Sequence, residues 1–459
     1  MIQEKDILPN EYRAGGFNVY PTFMIVKFIT LLTNESLSSG HILILGRIFG
    51  IIFLNFLSIL ITYHLARIFV GEKPSLVITV LYVFSQFYAM QYWYPDSYLY
   101  FGVASVVLFL SRIQFVDTSK INFRLLGISL GIALSTKWTA LALLLPIAVV
   151  VIPLSIKEKF SLGLWKLNLT FLSYSIGTAV ILNLGIFFRF DQFQKGFLFN
   201  LQNYGNYPGI RWEGFLFYFG AITVNIFGMF SIPLLIIGLI AISKNLSKYL
   251  YLFSYPLLLV LLFGDKQWVV LRNIASAGPF LIPILAIGIA SITSLNGQSK
   301  VLQNLLGKVL LLSIISLTAF FYFQTITAYL YPNTRIEASN WIRSQDLTLK
   351  SIGDNEFCSG KSPVKVAGLE SIYDPNFERN LDYYVINSYW DSPLRYKYLE
   401  KGILTPFDIN KIHFEQWNST RLFGGFHEVS VQNSDLPTGY YIAKAFYGNG
   451  PDIFIIRKR

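Results

Sequence analysis

One cysteine, Cys358, stands in the whole chain of 459 residues, so no disulfide can close within it. Beside that thiol there are only four histidines, which leaves no set for a Cys/His zinc cluster. Charge is the next scarcity. Asp, Glu, Lys and Arg make up 14% of the residues, where a soluble domain carries about 25%. A chain of this length so poor in charge reads as a multi-span membrane protein. No basic patch with interleaved aromatics lies on a soluble segment, which argues against nucleic acid as a partner. The chain shows no basic head followed by an apolar run, the mark of a secretory leader, and no internal repeat.

What fills the chain is apolar and aromatic. Hydrophobic residues account for 53% and aromatics for 17%, with 40 Phe and 28 Tyr, a stock that suits lipid contact and a ring-bearing or polyisoprenoid ligand. Stretches of spanning character fall at 42–66, 76–92, 97–115, 122–136, 138–155, 168–187, 215–242, 249–263, 274–295 and 309–330, judged against the roughly 20 residues a bilayer requires. The two that flank Lys137 are short, and read either as tilted helices or as one hairpin reaching part way across. The expected fold is an α-helical polytopic membrane protein of about ten transmembrane helices with a C-terminal soluble α/β domain. Residues 1–41 form an outer loop with an amphipathic juxtamembrane segment, 42–330 the transmembrane domain, and 331–459 the α/β domain. In that tail the pattern predicts helices at 335–343, 394–401 and 414–423 and strands at 364–369, 383–387, 428–431, 440–443 and 453–456.

The net charge of +11 carries its information in its location. Alternate loops hold Arg67, Lys73, Arg112, Lys120, Arg124, Lys157, Lys159, Lys166, Lys244, Lys248, Lys300 and Lys308; the opposite ones hold Lys137, Arg189, Lys195, Arg211, Lys266 and Arg272. The richer set is cytoplasmic by the positive-inside rule. Asp96, Lys137, the loop 189–213, Arg272 and the tail then face outward together. An even number of spans with an outer C-terminus puts the N-terminus outside as well, so we expect a first transmembrane helix to precede this sequence.

The stretch Tyr92-Trp93-Tyr94-Pro95-Asp96-Ser97-Tyr98-Leu99-Tyr100 sets one carboxylate among aromatics between two apolar runs. Trp and Tyr at this density belong at a membrane–water interface. Pro95 fits the first turn of a helix, so Asp96 opens that helix at the membrane surface. Asp96 either complements the helix dipole or serves function, as ionisable groups at membrane depth commonly do. Lys137 ends a Gly-containing apolar run, where snorkelling to headgroups competes with anion binding. Arg272 precedes an apolar helix on the side where basic residues are disfavoured, which favours anion binding. Arg47 suits either an anion or a lipid headgroup. The loop 189–213, with Tyr204, Trp212 and Glu213, is long enough to fold over a site, although such loops are often only surface.

In this order the pieces resemble the glycosyltransferase C superfamily, and within it family 39, the protein-mannosyltransferase and aminoarabinose-transferase type. Phe17-Asn18-Val19-Tyr20-Pro21-Thr22 is similar to the end of that family's first outer loop. Gly46-Arg47 with Thr62-Tyr63-His64-Leu65-Ala66-Arg67 resembles the next helix, and Pro95-Asp96 the second outer loop. The run from Gly127 through Ser135-Thr136-Lys137-Trp138-Thr139 is the most family-like stretch. Arg272 with Pro279 is similar to the Arg-before-helix motif, and Asn333 to Ile342, Leu381 to Ile386 and Gly450 to Ile456 resemble the family's tail.

The resemblance implies an enzyme that transfers a hexosyl or pentosyl group, with inversion, from a polyprenyl-phosphate sugar to an acceptor on the extracytoplasmic face. A leaving phosphate needs cations, a role for Lys137 and Arg272 with Arg47 as a third. An acceptor hydroxyl needs a carboxylate base, which the family places early in its first outer loop. Asp6 and Glu11 lie near but lack its Asp-Glu context, and Asp96 matches the second acidic position. Tyr20, Tyr94, Tyr204, Trp212 and Glu213 are the acceptor- or sugar-binding candidates. No cofactor or metal is expected beyond the lipid-linked sugar; the acceptor is a protein, a lipid or a glycan. The rival readings are a non-catalytic scaffold subunit of the same ancestry and a transporter for lipid-linked sugar, the latter calling for inverted repeats.

Overall fold

In the computed structural model most of the apolar runs, where they fall on described residues, are helical. The described residues are 20–34, 37, 41–42, 45–46, 48–90, 94–159, 161–203, 215, 218–219, 222, 227, 231–264, 272–293, 309, 311–317, 319, 334–344, 352–353, 383–387, 436, 438–446 and 453–459. The chain divides into two compact units, Met1–Thr318 and Ala319–Arg459.

In the first unit α1 (Tyr20–Thr33) precedes a wide-turned segment, Ile48–Phe53, that runs straight into α2 (Leu54–Phe69). Then come α3 (Glu72–Met90), α4 (Tyr94–Phe115) and α5 (Lys120–Leu134). A 3-10 turn, Trp138–Leu143, leads into α6 (Leu144–Lys157), and α7 (Leu162–Leu182) follows. Two helices, α8 (Leu184–Phe188) and α9 (Phe190–Asn203), continue from its end. After them come α10 (Ile232–Ser243), α11 (Leu246–Phe263), the single turn α12 (Arg272–Ala275) and α13 (Gly278–Thr293).

Four stretches among the described residues are long and apolar enough to cross a membrane: Ile48–Phe69, Ser97–Phe115, Trp138–Lys157 and Leu246–Phe263. The stretch after Lys137 is among those long and apolar enough to span. Pro21–Thr33, Ile232–Ser243 and Gly278–Ile292 are shorter apolar helices. Helix α4 is the centre of the bundle. Val103, Ala104, Val106, Val107 and Leu110 are wholly buried on every side of it, which an amphipathic surface helix would not allow. The outer helices instead expose apolar side chains such as Phe56, Ile152, Ile156, Leu257 and Leu261. On a soluble protein such a surface would aggregate; here it is the lipid-facing side.

Helix directions follow from close approaches. A Cβ on Gly102 of α4 would meet Ala133 of α5 at 2.9 Å, and Gly127 and Gly131 of α5 lie against Phe171 and Thr178 of α7 in ascending order. So α5 and α7 run parallel, their backbones drawn together by a small-xxx-small face. Gly238 of α10 meets Ile284 of α13 while Gly288 of α13 meets Leu234 of α10, an antiparallel version of the same device. Far from Asp96, the ends of α2 and α4 and the start of α11 share a ring cluster, with Phe69 5.1 Å from Phe115 and Phe115 5.2 Å from Tyr249. Just inside it Ser111 and Tyr251 share a buried hydrogen bond of 2.7 Å.

The second unit holds α14 (Thr334–Ser344) and a sheet of β1 (Ile352–Gly353), β2 (Tyr383–Asn387), β3 (Tyr440–Phe446) and β4 (Ile453–Lys458), ordered β1-β2-β4-β3. Strand β4 lies antiparallel to both neighbours, Val385 opposite Ile455 and Ile442 opposite Ile456. Tyr384, Val385, Ile455 and Ile456 are buried, and Ala338 and Ile342 bury one face of α14. The helix at 335–343 and the strands at 383–387, 440–443 and 453–456 are present as the pattern predicts. Those at 364–369 and 428–431, and the helices at 394–401 and 414–423, lie outside the described residues.

Candidate functional site

Helix α5 ends at Leu134, and the two residues that follow turn their side chains back onto its carbonyls. Ser135 Oγ donates to Gly131 O at 2.7 Å and Thr136 Oγ1 donates to Ile132 O at 2.9 Å. Both residues are buried, and their hydroxyls are second donors to carbonyls that already accept from the Ser135 N–H. Lys137 follows with extended backbone, φ −155° and ψ 138°. Its N–H still reaches Ala133 O, and its own carbonyl accepts from Ala140 N at 3.0 Å, starting the 3-10 turn. Lys137 is therefore a half-buried cation at a break between two helices, where the negative end of the α5 dipole favours it.

Two further groups reach this break from the segment after α7. Asn183 is buried and donates from Nδ2 to Ser135 Oγ at 2.9 Å and to Ala179 O at 2.9 Å. Phe193 of α9 lies against the Trp138 ring with centroids 5.2 Å apart. Phe190, one turn earlier, packs on Phe193 at 5.9 Å.

Asp96 lies in the first turn of α4 with Pro95 beside it, the helix start that Pro95 predicts. Gly102 sits against Ala133, so the start of α4 and the end of α5 come to the same end of the bundle and bring Asp96 and Lys137 to it. The wide turn before α2 is there too, since Phe49 lies 6.1 Å from Tyr98. Below it, the Tyr82 and Tyr100 rings lie 5.5 Å apart. Ser58, Thr62 and Ser97 are fully buried in the same part of the bundle. Hydroxyls this dense in an apolar bundle mark a polar interior below Asp96.

Arg272 opens α12, four residues before Ser276. The Ser276 hydroxyl meets Tyr255 Oη at 3.0 Å, and Phe280 stacks on Tyr255 at 5.0 Å. That seats the α12–α13 junction midway along α11. Tyr20 is the first residue of α1 and Tyr94 the first of α4. The side chains of Tyr20, Tyr94, Asp96 and Arg272 lie outside what the structure describes, as do Arg47, Tyr204, Trp212 and Glu213 altogether. Asn183 and Phe193 went unread in the sequence. An asparagine ending an apolar run is ordinary, and only the pairing with Ser135 gives it meaning.

The fold is that of a helical membrane protein in which the start of α4 and the end of α5 come to one end of a bundle of close-packed helices. Residues 16–197 match the dolichyl-phosphate-mannose-protein mannosyltransferase family. The crystal structure of ArnT from Cupriavidus metallidurans in the apo state has a TM-score of 0.50 at 12% identity, covering 97% of this chain and 88% of that one. The structure of ArnT from the same organism bound to undecaprenyl phosphate gives 0.48 at 14% identity, over 72% of this chain and 65% of that one, just under two thirds of its length. No curated protein sequence matches. The family match is confined to residues 16–197, and the likeness to ArnT in the apo state is one of fold; both agree with the resemblance carried by the chain's motifs.

Proposed function

We propose that this protein is a membrane glycosyltransferase that moves a sugar from a polyprenyl-phosphate donor to an acceptor at the extracytoplasmic face. The observation that carries the reading is that Asp96 and Lys137 both fall within the matched residues 16–197 and at one end of the bundle. The family's own description names a dolichyl-phosphate sugar, a lipid phosphate of the class that an apolar groove between helices accommodates.

In this reading Lys137 and Arg272, with Arg47, neutralise the phosphate as the bond to the sugar's anomeric carbon breaks. Charge develops on the leaving phosphate oxygens, and fixed cations in a water-poor site stabilise it more there than in the ground state. The acceptor hydroxyl attacks from the opposite face and inverts the centre, losing its proton to a carboxylate. Asp96 holds the second acidic position and assists acceptor binding and charge balance. Tyr20, Tyr94, Tyr204, Trp212 and Glu213 contact sugar or acceptor. The cations of the mechanism are side chains, so no resident metal enters it. Residues 42–330 form the catalytic membrane domain and 331–459 an extracytoplasmic α/β domain.

The test is transfer of labelled sugar from polyprenyl-phosphate sugar in membranes carrying the full chain, Asp96→Asn or Lys137→Met. Loss in both variants at unchanged protein level supports the reading. Transfer by both at the parent rate removes these residues from the site. Silence of the parent chain with a panel of donors turns the reading toward the scaffold alternative.

A further inference from the structure

Lys137 is flanked by two residues, Ser135 and Trp138, that are each held from outside its own helix. Both holds come from one short stretch of chain. Asn183 Nδ2 grips Ser135 Oγ at 2.9 Å, and ten residues later Phe193 lies on the Trp138 ring at 5.2 Å. Capping α7 does not require the first of these. The Asn183 amide already donates to Ala179 O, four residues back, which is all a helix end asks of it. The second N–H of the same amide crosses to another helix in a buried setting, where a hydrogen bond is strong and its loss leaves polar atoms without a partner.

Between the two holds Lys137 has extended backbone and belongs to neither helix. A lysine at such a break would swing with its hinge, and ordering it on an anion would weaken binding. We propose that Asn183 and Phe193 form a two-point clamp that fixes the Lys137 turn for the donor phosphate, making both of them positioning residues. The inference rests on the reading of Lys137 as a phosphate ligand. It adds that the outer segment α8–α9 enters the reaction through the geometry of that lysine.

The clamp acts on phosphate and not on the lipid chain, which gives it a signature that general loosening of the fold lacks. The experiment measures binding of polyprenyl phosphate and of the uncharged polyprenol to the purified full-length protein in detergent. Asn183→Ala and Phe193→Ala are each expected to weaken polyprenyl phosphate about tenfold, equivalent to about 1.4 kcal/mol, while polyprenol binding stays at the parent value. In a Lys137→Ala background neither substitution should weaken phosphate binding further, because the residue they position is gone. Ser135→Ala should reproduce Asn183→Ala, and the pair together should cost no more than either alone.

Equal loss for polyprenol and polyprenyl phosphate would make the two residues structural and overturn the clamp. So would full additivity with Lys137→Ala. If Lys137→Ala itself leaves polyprenyl phosphate binding intact, the reading of Lys137 falls instead, which is a separate outcome. Should Asn183→Ala not fold, Phe193→Ala decides the matter, since it touches Trp138 from a helix outside the buried core.

Discussion

Lys137 follows Ser135 and Thr136, whose hydroxyls bond back to the last turn of α5, and its own backbone is extended. Replacing it by Met keeps the stem and removes the charge. A fixed cation lost from a transition-state site costs about 10²–10³ in rate, so Lys137→Met should lower the rate of sugar transfer by that order with little change in the acceptor KM. A second residue-scale test concerns the hydrogen bond between Ser111 and Tyr251, both wholly buried. Removing one partner strands the other, at about 1–3 kcal/mol. Ser111→Ala and Tyr251→Phe should each depress the apparent Tm in detergent. The double variant should fall well short of the summed loss. Simple additivity would mean that the two hydroxyls do not depend on each other.

At the scale of elements, the contact between α5 and α7 rests on missing side chains. A Cβ on Gly131 would meet Thr178 Cβ at 2.6 Å and Ser175 O at 2.8 Å, whereas one on Gly177 of α7 meets nothing within 4 Å. The two glycines therefore predict opposite outcomes. Gly131→Leu has to push α7 away, which costs about 1–3 kcal/mol, and it should lower the apparent Tm and loosen the Ser135–Asn183 bond. Gly177→Ala removes a flexible residue from an open helical position and should raise stability by about 0.5–1 kcal/mol. A Gly131→Leu protein as stable as the parent would show that α5 and α7 are not locked at this face.

For the whole molecule the open question is sidedness, and the basic loops answer it with an expectation: Asp117, between α4 and α5, faces the cytoplasm, and the sheet of the second unit faces out. Cys358 is the sole native thiol, so a Cys358→Ser background carries no other label site. In that background Lys444→Cys, on the exposed side of β3, should react with a membrane-impermeant maleimide in intact cells. Asp117→Cys, in an exposed turn, should react only after permeabilisation. The reverse pattern would invert the protein and remove the extracytoplasmic reaction with it.

The amino-acid sequence by itself determined the class, the apolar helices and the start of α4 at Pro95. It also determined strands β2, β3 and β4, because hydropathy and β-branched alternation are properties of each segment alone. It did not contain β1, two residues long, which exists as a strand only by pairing Ile352 with Tyr383 and Gly353 with Tyr384. Nor did it contain the parallel packing of α5 on α7 or the grip of Asn183 on Ser135. Those residues stand 48 apart in the chain. Whether they meet depends on the rotation and axial offset of two helices, quantities to which no periodicity in either helix is sensitive. Tertiary packing alone decided them, through the glycine face that lets the helices approach closely enough for one amide to cross.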